Sequence, residues 1–336
     1  ASDWVSVSAG THHTCGIRES DAGERTLWCW GKGSDGSALG SGTFERSNVP
    51  VQEATASVDW VSVSAGTRAD TCGLRASAED EQTLWCWGRN SSISSGTSTP
   101  AQRGTDTDWQ AISVGARAAC GLRRDTDGVT AHCVGTNSHG QLADGTTSSK
   151  SSYVEVQGDH AAWTAISASQ GFACGIADGD LYCWGRNLDH ELGLGDDVLE
   201  LEGCSDAHDH VDCRVPMLVS HPRSWTSVST GPGYACAIDV AGRLYCWGDP
   251  GAVGHPDAHA RAGDADQAGH LDVELAIKDL FHTDDVGIER DGLFHVADAD
   301  GRVVHPSEHG ASQRIVRVRR ACRRGVMPPR AAGAHS

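Results

Sequence analysis

A cysteine pair straddling a turn, with tryptophans before and after it, recurs five times in this chain and constrains the fold more than any other feature. The cleanest copy runs from Trp163 to Gly195. Near its middle, Asp178-Gly179 is a two-residue turn signal of the type I′ kind. Counting outward from it pairs Ala177 with Asp180, Ile176 with Leu181, Gly175 with Tyr182 and Cys174 with Cys183. Residues flanking a two-residue loop form a hydrogen-bonded pair and the pair type alternates. The cysteines therefore fall at a non-hydrogen-bonded pair, with Cα atoms roughly 4.5 Å apart, within reach of a disulfide.

The other copies follow the same plan: a Trp, a Val/Ile-Ser segment, a Gly, a Cys about eleven residues after the Trp, a turn, a second Cys and usually Trp-Gly. They open at Trp4, Trp60, Trp109, Trp163 and Trp225, spaced 56, 49, 54 and 62 residues apart. In the third copy Val134 stands where the others have Trp. Registering the hairpins on their cysteines predicts Cys15–Cys29, Cys72–Cys86, Cys120–Cys133, Cys174–Cys183 and Cys236–Cys246. The fifth is left with Val240-Ala241-Gly242 as a three-residue loop, the Gly supplying a left-handed residue. The first two are left with seven-residue loops, 19–25 and 76–82, and the third with 124–129. A sixth copy without cysteines emerges when Leu275 is laid on Trp225. Ile288 then matches Ile238, 290–292 matches the Gly-ended loop, and Val286 and Val296 take the cysteine positions as an apolar cross-strand pair. No seventh copy follows His305. A period of this length means a solenoid or a propeller.

Cysteine usage sets the compartment. Thirteen cysteines at paired, recurring spacings read as a disulfide framework in an exported protein. Zinc is disfavoured because the nearest cysteines are separated by eight residues rather than two to four. The chain opens at Ala1, already inside a repeat, so an export leader is expected to have been removed or left out. No apolar run is long enough for a membrane span. The net charge of −18 argues against a nucleic-acid partner and favours solubility or high salt. The charge is unevenly distributed: all 45 acidic residues lie within 1–308, whereas 309–336 hold seven arginines and no carboxylate. The expected organisation is one repeat domain over 1–308 and an Arg-rich tail over 309–336. The tail reads as a disordered terminus, an out-of-frame end of a truncated gene, or a basic segment docking on the acidic body. It contains the unpaired Cys322, more easily explained by a missing partner than by a reactive thiol.

From Leu181 to Asp196 the chain reads L-Y-C-W-G-R-N-x-x-x-x-L-G-L-G-D, continued by Val215-Pro216-x-Leu218-Val219 and Trp225-x-x-Val228-Ser-x-Gly231. With weaker versions at Gly135 to Leu142 and Trp60 to Gly66, this resembles the regulator-of-chromosome-condensation repeat, over roughly residues 4–304 and closest to secreted bacterial members. The resemblance implies an all-β propeller of four-stranded antiparallel blades. Five clear copies and one faint one make it six-bladed or an incomplete seven-bladed ring. The residues agree independently, since each unit has about four short β-rich segments that cannot bury an apolar face alone. Ser, Ala and Gly in the V-S-x-S/G-x-G segments suit strands crowded near an axis. The resemblance also implies that His12 and His13, in the place of the family's G-x-x-H-T pattern, are structural. The light-sensing members' G-W-R-H-T motif is absent, and nucleotide exchange in nucleus and cytosol conflicts with the cysteine pattern.

One segment has the composition of a metal site. Cys204-Ser-Asp-Ala-His-Asp-His-Val-Asp-Cys213 lies in the longest connection, and Asp206, His208, Asp209, His210 and Asp212 are candidate ligands for calcium or zinc. The simpler reading is a surface excursion closed by a Cys204–Cys213 disulfide. The His255 to Asp272 stretch reads as solvated linker, and Asp298 to Gly301 as a turn. No nucleophile–His pairing and no phosphate loop stand out. The sequence thus predicts a non-catalytic, cofactor-free, monomeric protein, extracellular or in the cell envelope, recognising a protein or cell-surface partner through its blade loops. A metal-dependent binder or enzyme using 204–213 is the alternative.

Overall fold

The computed structural model describes residues 3–249 except 33–37, 79–80, 91, 95, 159, 161, 196–200, 207–210 and 220–223, and also 286–288 and 294–296. The chain forms two compact units, Ala1–Leu280 and Phe281–Ser336. The Arg-rich tail, Cys322 and the 255–272 and 298–301 segments lie outside the described residues.

The first unit is a series of antiparallel sheets, each starting at a repeat Trp. The first comprises β1 (Trp4–Ala9), β2 (His13–Glu19), β3 (Arg25–Gly31) and β4 (Ser47–Gln52), in that spatial order. The next repeat adds β5 (Trp60–Ala65), β6 (Asp70–Ala78), β7 (Glu81–Gly88) and β8 (Ala101–Gln102). The third comprises β9 (Trp109–Val114), β10 (Ala118–Arg124), β11 (Val129–Gly135) and β12 (Lys150–Glu155). The fourth comprises β13 (Trp163–Ala168), β14 (Phe172–Ala177), β15 (Asp180–Gly185) and β17 (Val211–Leu218), edged by β16 (Cys204–Asp206). The fifth has three strands, β18 (Trp225–Gly231), β19 (Tyr234–Asp239) and β20 (Leu244–Gly248).

The expectation of six or seven blades is therefore corrected: the described residues form five. The described part of the sixth copy falls in the second unit, where β21 (Val286–Ile288) and β22 (Phe294–Val296) pair antiparallel with Val286 opposite Val296. The 290–292 loop lies outside the described residues.

In β14–β15 the register places Cys174 opposite Cys183, and both turn residues have positive φ, 55° at Asp178 and 86° at Gly179, as a type I′ turn requires. The first two hairpin loops are shorter than the expected seven residues. Pairing runs on to Glu19–Arg25 in the first and, past an irregularity, to Ala78–Glu81 in the second. Each hairpin end is also held by the next blade, Arg25 N–H donating to Val58 O (2.8 Å) and Gln82 N–H to Thr107 O (2.7 Å).

The core lies between blades. Strand alternation puts the cysteines and the Ile or Leu two residues on one face, and the leading Trp on the other. In every junction among the five blades the cystine face of one packs on the Trp face of the next. Cys15, Ile17, Leu27 and Cys29 of the first blade cluster with Trp60 and Trp87 of the second. Trp60 lies across its own blade at Gly73, where a Cβ would stand 2.7 Å from the ring. Where Val134 replaces the second Trp, Tyr153 from β12 supplies the aromatic edge against Trp109, centroids 4.8 Å apart.

A hydroxyl ladder joins the inner strands. Ser8 Oγ accepts from Ala65 N–H (2.9 Å), Ser64 Oγ from Val114 N–H (2.9 Å), Ser113 Oγ from Ala168 N–H (2.9 Å) and Ser167 Oγ from Thr230 N–H (3.0 Å). This accounts for the serine at the fifth residue of the first four units. The inner turns are crowded enough that a Cβ on Gly10 would meet the Gly66 carbonyl.

Candidate functional site

The cysteines form scaffold. The structure holds disulfides Cys15–Cys29, Cys72–Cys86, Cys120–Cys133, Cys174–Cys183 and Cys236–Cys246, one between the middle strands of each blade, with Cα atoms 4.1 Å apart in each. A sixth, Cys204–Cys213, joins β16 to β17. All twelve cysteines are inward or half-buried, so none of these bridges presents sulfur chemistry at an open surface.

The 204–213 hairpin leans on the preceding blade. Asp212 is buried, and its Oδ2 lies 2.8 Å from His139 Nδ1 on the loop after β11. Gly145 N–H donates to Arg214 O (3.0 Å). Asp212 thus acts as a brace between blades. His208, Asp209 and His210 lie outside the described residues, as does the side chain of Asp206. Among the described residues no group of three or more His, Cys, Asp or Glu side chains is placed to hold a metal.

His13 is likewise a brace. It is buried at the start of β2, with Nε2 2.8 Å from Thr71 Oγ1 on the second blade. Thr71 commits its hydroxyl proton to Ala38 O (2.8 Å), so the imidazole donates from Nε2. Burial, helped by the neighbouring His12, pushes its pKa down to about 4. The unfolded chain binds this proton near pH 6.5 and the folded one near 4. Stability from this site is therefore fully present above pH 6.5 and is lost as pH falls towards 4. The loss amounts to about 3 kcal/mol. Urea unfolding at pH 7 and pH 4.5 is expected to show this drop in wild type and a smaller one in His13→Gln.

A third arginine–aspartate–tryptophan device repeats in blades one to three. Arg18, Arg75 and Arg123 pair with Asp3, Asp59 and Asp108 (2.5, 2.7 and 3.0 Å) and lie over the rings of Trp4, Trp60 and Trp109. The D-W and C-G-[IL]-R spacing carries this signal in the sequence, but the pairing becomes visible only once β1 is registered on β2. In the loops after β11 and β15, Asn137 and Asn187 each accept the N–H five residues on, from Leu142 and Leu192 (3.0 Å each). They shape the turns that the fold's surface loops hang from.

The arrangement is a set of rigid, cross-linked hairpins joined by loops of differing length and composition, which defines a repeat protein of the β-propeller class. A model of the Regulator of chromosome condensation (RCC1) repeat matches residues 178–238, from the turn of the fourth blade to the second strand of the fifth. Human WBSCR16 is similar in structure, with a TM-score of 0.55 at 19% identity over 73% of this chain. The chain spans 62% of the length of that structure. Yeast RCC1 (Prp20), solved bound to Kap60, is similar with a TM-score of 0.50 at 16% identity, covering 81% of this chain and 74% of its own. No curated protein sequence matches the chain. The chain therefore has the β-propeller fold, with an RCC1 repeat matched over residues 178–238. Among the described residues no helix is long and apolar enough to cross a membrane.

Proposed function

We propose that the protein is an exported, non-catalytic recognition module that binds a protein or cell-surface partner through its blade loops. The observation that carries this reading is the contrast between stem and loop. All five hairpin stems keep one register and one cross-link. Their ends range from the two residues Asp178-Gly179 to the five residues between Glu19 and Arg25. A fixed frame with variable connections is how proteins hold a binding surface at low entropic cost. Six disulfides support an oxidising compartment, outside the cytosol. The yeast structure bound to Kap60 supports protein binding as a use of the fold. Cross-linking pull-down of the intact protein from the source organism's medium or envelope is expected to retain one partner at stoichiometric yield, competed by unlabelled protein. Recovery of nothing above a bare-resin control overturns the reading.

A further inference from the structure

The hairpin tips are acidic, whereas the opposite ends of the blades are mixed in charge and carry a local group of exposed arginines. Among the described residues, the tips of the middle hairpins (19–25, 76–82, 124–129, 178–180 and 239–243) hold nine acidic residues against three arginines. At the other end lie the first turn of each blade and the residues just after its third strand. The segments 10–13, 31–32, 66–70, 88–90, 115–118, 135–137, 169–172, 185–187, 231–234 and 248–249 hold five Lys or Arg against two acids, while the loops that run on to the fourth strands at the same end add Glu45, Asp144, Asp189 and Glu191, the last two paired with Arg186. One hydrogen bond, repeated in every blade, joins these segments pairwise. Examples are Arg89 N–H to Ala69 O (3.1 Å) and Thr136 N–H to Arg117 O (2.9 Å). Asn90 Nδ2 donates to Arg117 O (3.4 Å) and so links blade two to blade three. Arg68, Arg89 and Arg117 are thereby gathered on one stretch of rim, and all three are exposed.

These arginines differ from Arg75 and Arg123 of the same blades, though not from Arg103 and Arg124, which also lack an ion pair among the described residues. Arg75 and Arg123 are matched to aspartates, whereas Arg68, Arg89 and Arg117 make no ion pair among the described residues. Asp70, beside Arg68, is buried and accepts from Asn90 N–H (2.7 Å) and Ser94 Oγ (2.8 Å). Three free guanidiniums in a chain of net charge −18 are an electrostatic island. A guanidinium takes a carboxylate through two parallel hydrogen bonds. The acidic surroundings repel any long polyanion that extends beyond the patch, and so favour a partner whose negative charge is local.

We propose that the rim carrying Arg68, Arg89 and Arg117 docks an acidic polypeptide segment, whose Asp or Glu side chains these guanidiniums grip. This rests on the recognition reading above and names its face and partner chemistry. The test is fluorescence anisotropy of a labelled glutamate-rich peptide with the full chain at low ionic strength. Binding is expected, weakening as salt is raised. It is expected to fall about tenfold or more in Arg68→Glu/Arg89→Glu/Arg117→Glu and to persist in the matching Arg→Lys triple. A tip variant, Asp125→Lys/Asp127→Lys, should bind no more weakly than wild type. The substituted side chains are exposed, so melting temperatures should stay the same and exclude misfolding as the cause. Absence of binding at low salt, equal binding by the Glu triple, or tighter binding of a single-stranded DNA of matched charge overturns the proposal. If the Glu triple still captures the wild-type partner in the pull-down, this inference alone fails; if wild type captures nothing, the recognition reading itself falls.

Discussion

Replacing Trp60 by alanine is expected to cost about 3–5 kcal/mol, lowering the melting temperature by roughly 10 °C for a domain of this size. The indole is fully buried. It crosses Gly73, meets the edge of Trp87 at 5.8 Å and closes over the Cys15–Cys29 bridge of the preceding blade. Its Nε1–H reaches Glu53 Oε1 at 3.3 Å. Removing it opens a cavity at a junction whose walls are cross-linked hairpins, and these collapse poorly into the space. The internal control is Trp4, the same residue at the same repeat position. It is 42% exposed, so Trp4→Ala is expected to cost about 1 kcal/mol. Differential scanning calorimetry of the two variants decides the matter. Equal losses would mean that burial between blades is not what these tryptophans contribute.

Removing the fourth-blade bridge, as Cys174→Ala/Cys183→Ala, is expected to cost about 2–3 kcal/mol, the loop-closure entropy of a short loop. The two sulfurs are fully buried beneath Trp225 and Trp247, so lost packing adds to the entropic term. The Val286–Val296 pair of β21–β22 suggests which repair works. Cys174→Val/Cys183→Val restores apolar volume without the cross-link and should unfold between wild type and the alanine pair in urea. Peptide mapping without reductant should recover the six bridges from wild type. Mostly free thiols, or an alanine pair as stable as wild type, would remove the argument for an oxidising compartment.

Hairpin register was legible in the sequence because it is local. Asp178-Gly179 sets the turn, the turn sets the pairing, and the pairing places Cys174 against Cys183. The same counting located Val286 and Val296 without any cysteine to mark them. Crowding at the axis could be read from Ser and Gly composition, but the bond each serine makes could not, since Ser64 and its donor Val114 are 50 residues apart. Neighbour relations between blades are invisible to a period-two pattern. It says that Trp60 and Cys72 face opposite ways, and leaves open what each one meets. Tyr153 taking over from the missing Trp at position 134, and Asp212 bracing on His139 from 73 residues away, belong to the same class. Sequence shows Asp212 only as one candidate ligand of the 204–213 segment, whereas its contact with His139 is a property of space. The rim arginines were missed for the opposite reason. Arg68 and Arg117 stand in loops outside the repeated letters, Arg89 is hidden within them, and the three gain meaning only when the shared hydrogen bond after each third strand brings them together.

The hydroxyl ladder has a direction. Each blade offers a serine oxygen forward and a backbone N–H backward, and the Trp and cystine faces are ordered the same way. The four described seams therefore share one plan, with Val134 and Tyr153 the variation at the second. Duplicating or deleting one whole repeat leaves all remaining seams with their proper halves, whereas reversing or splitting a repeat spoils two at once. Blade number is accordingly the variable such a gene can change most cheaply, and a lineage built on this unit should diversify by unequal exchange between repeats long before it alters the unit itself.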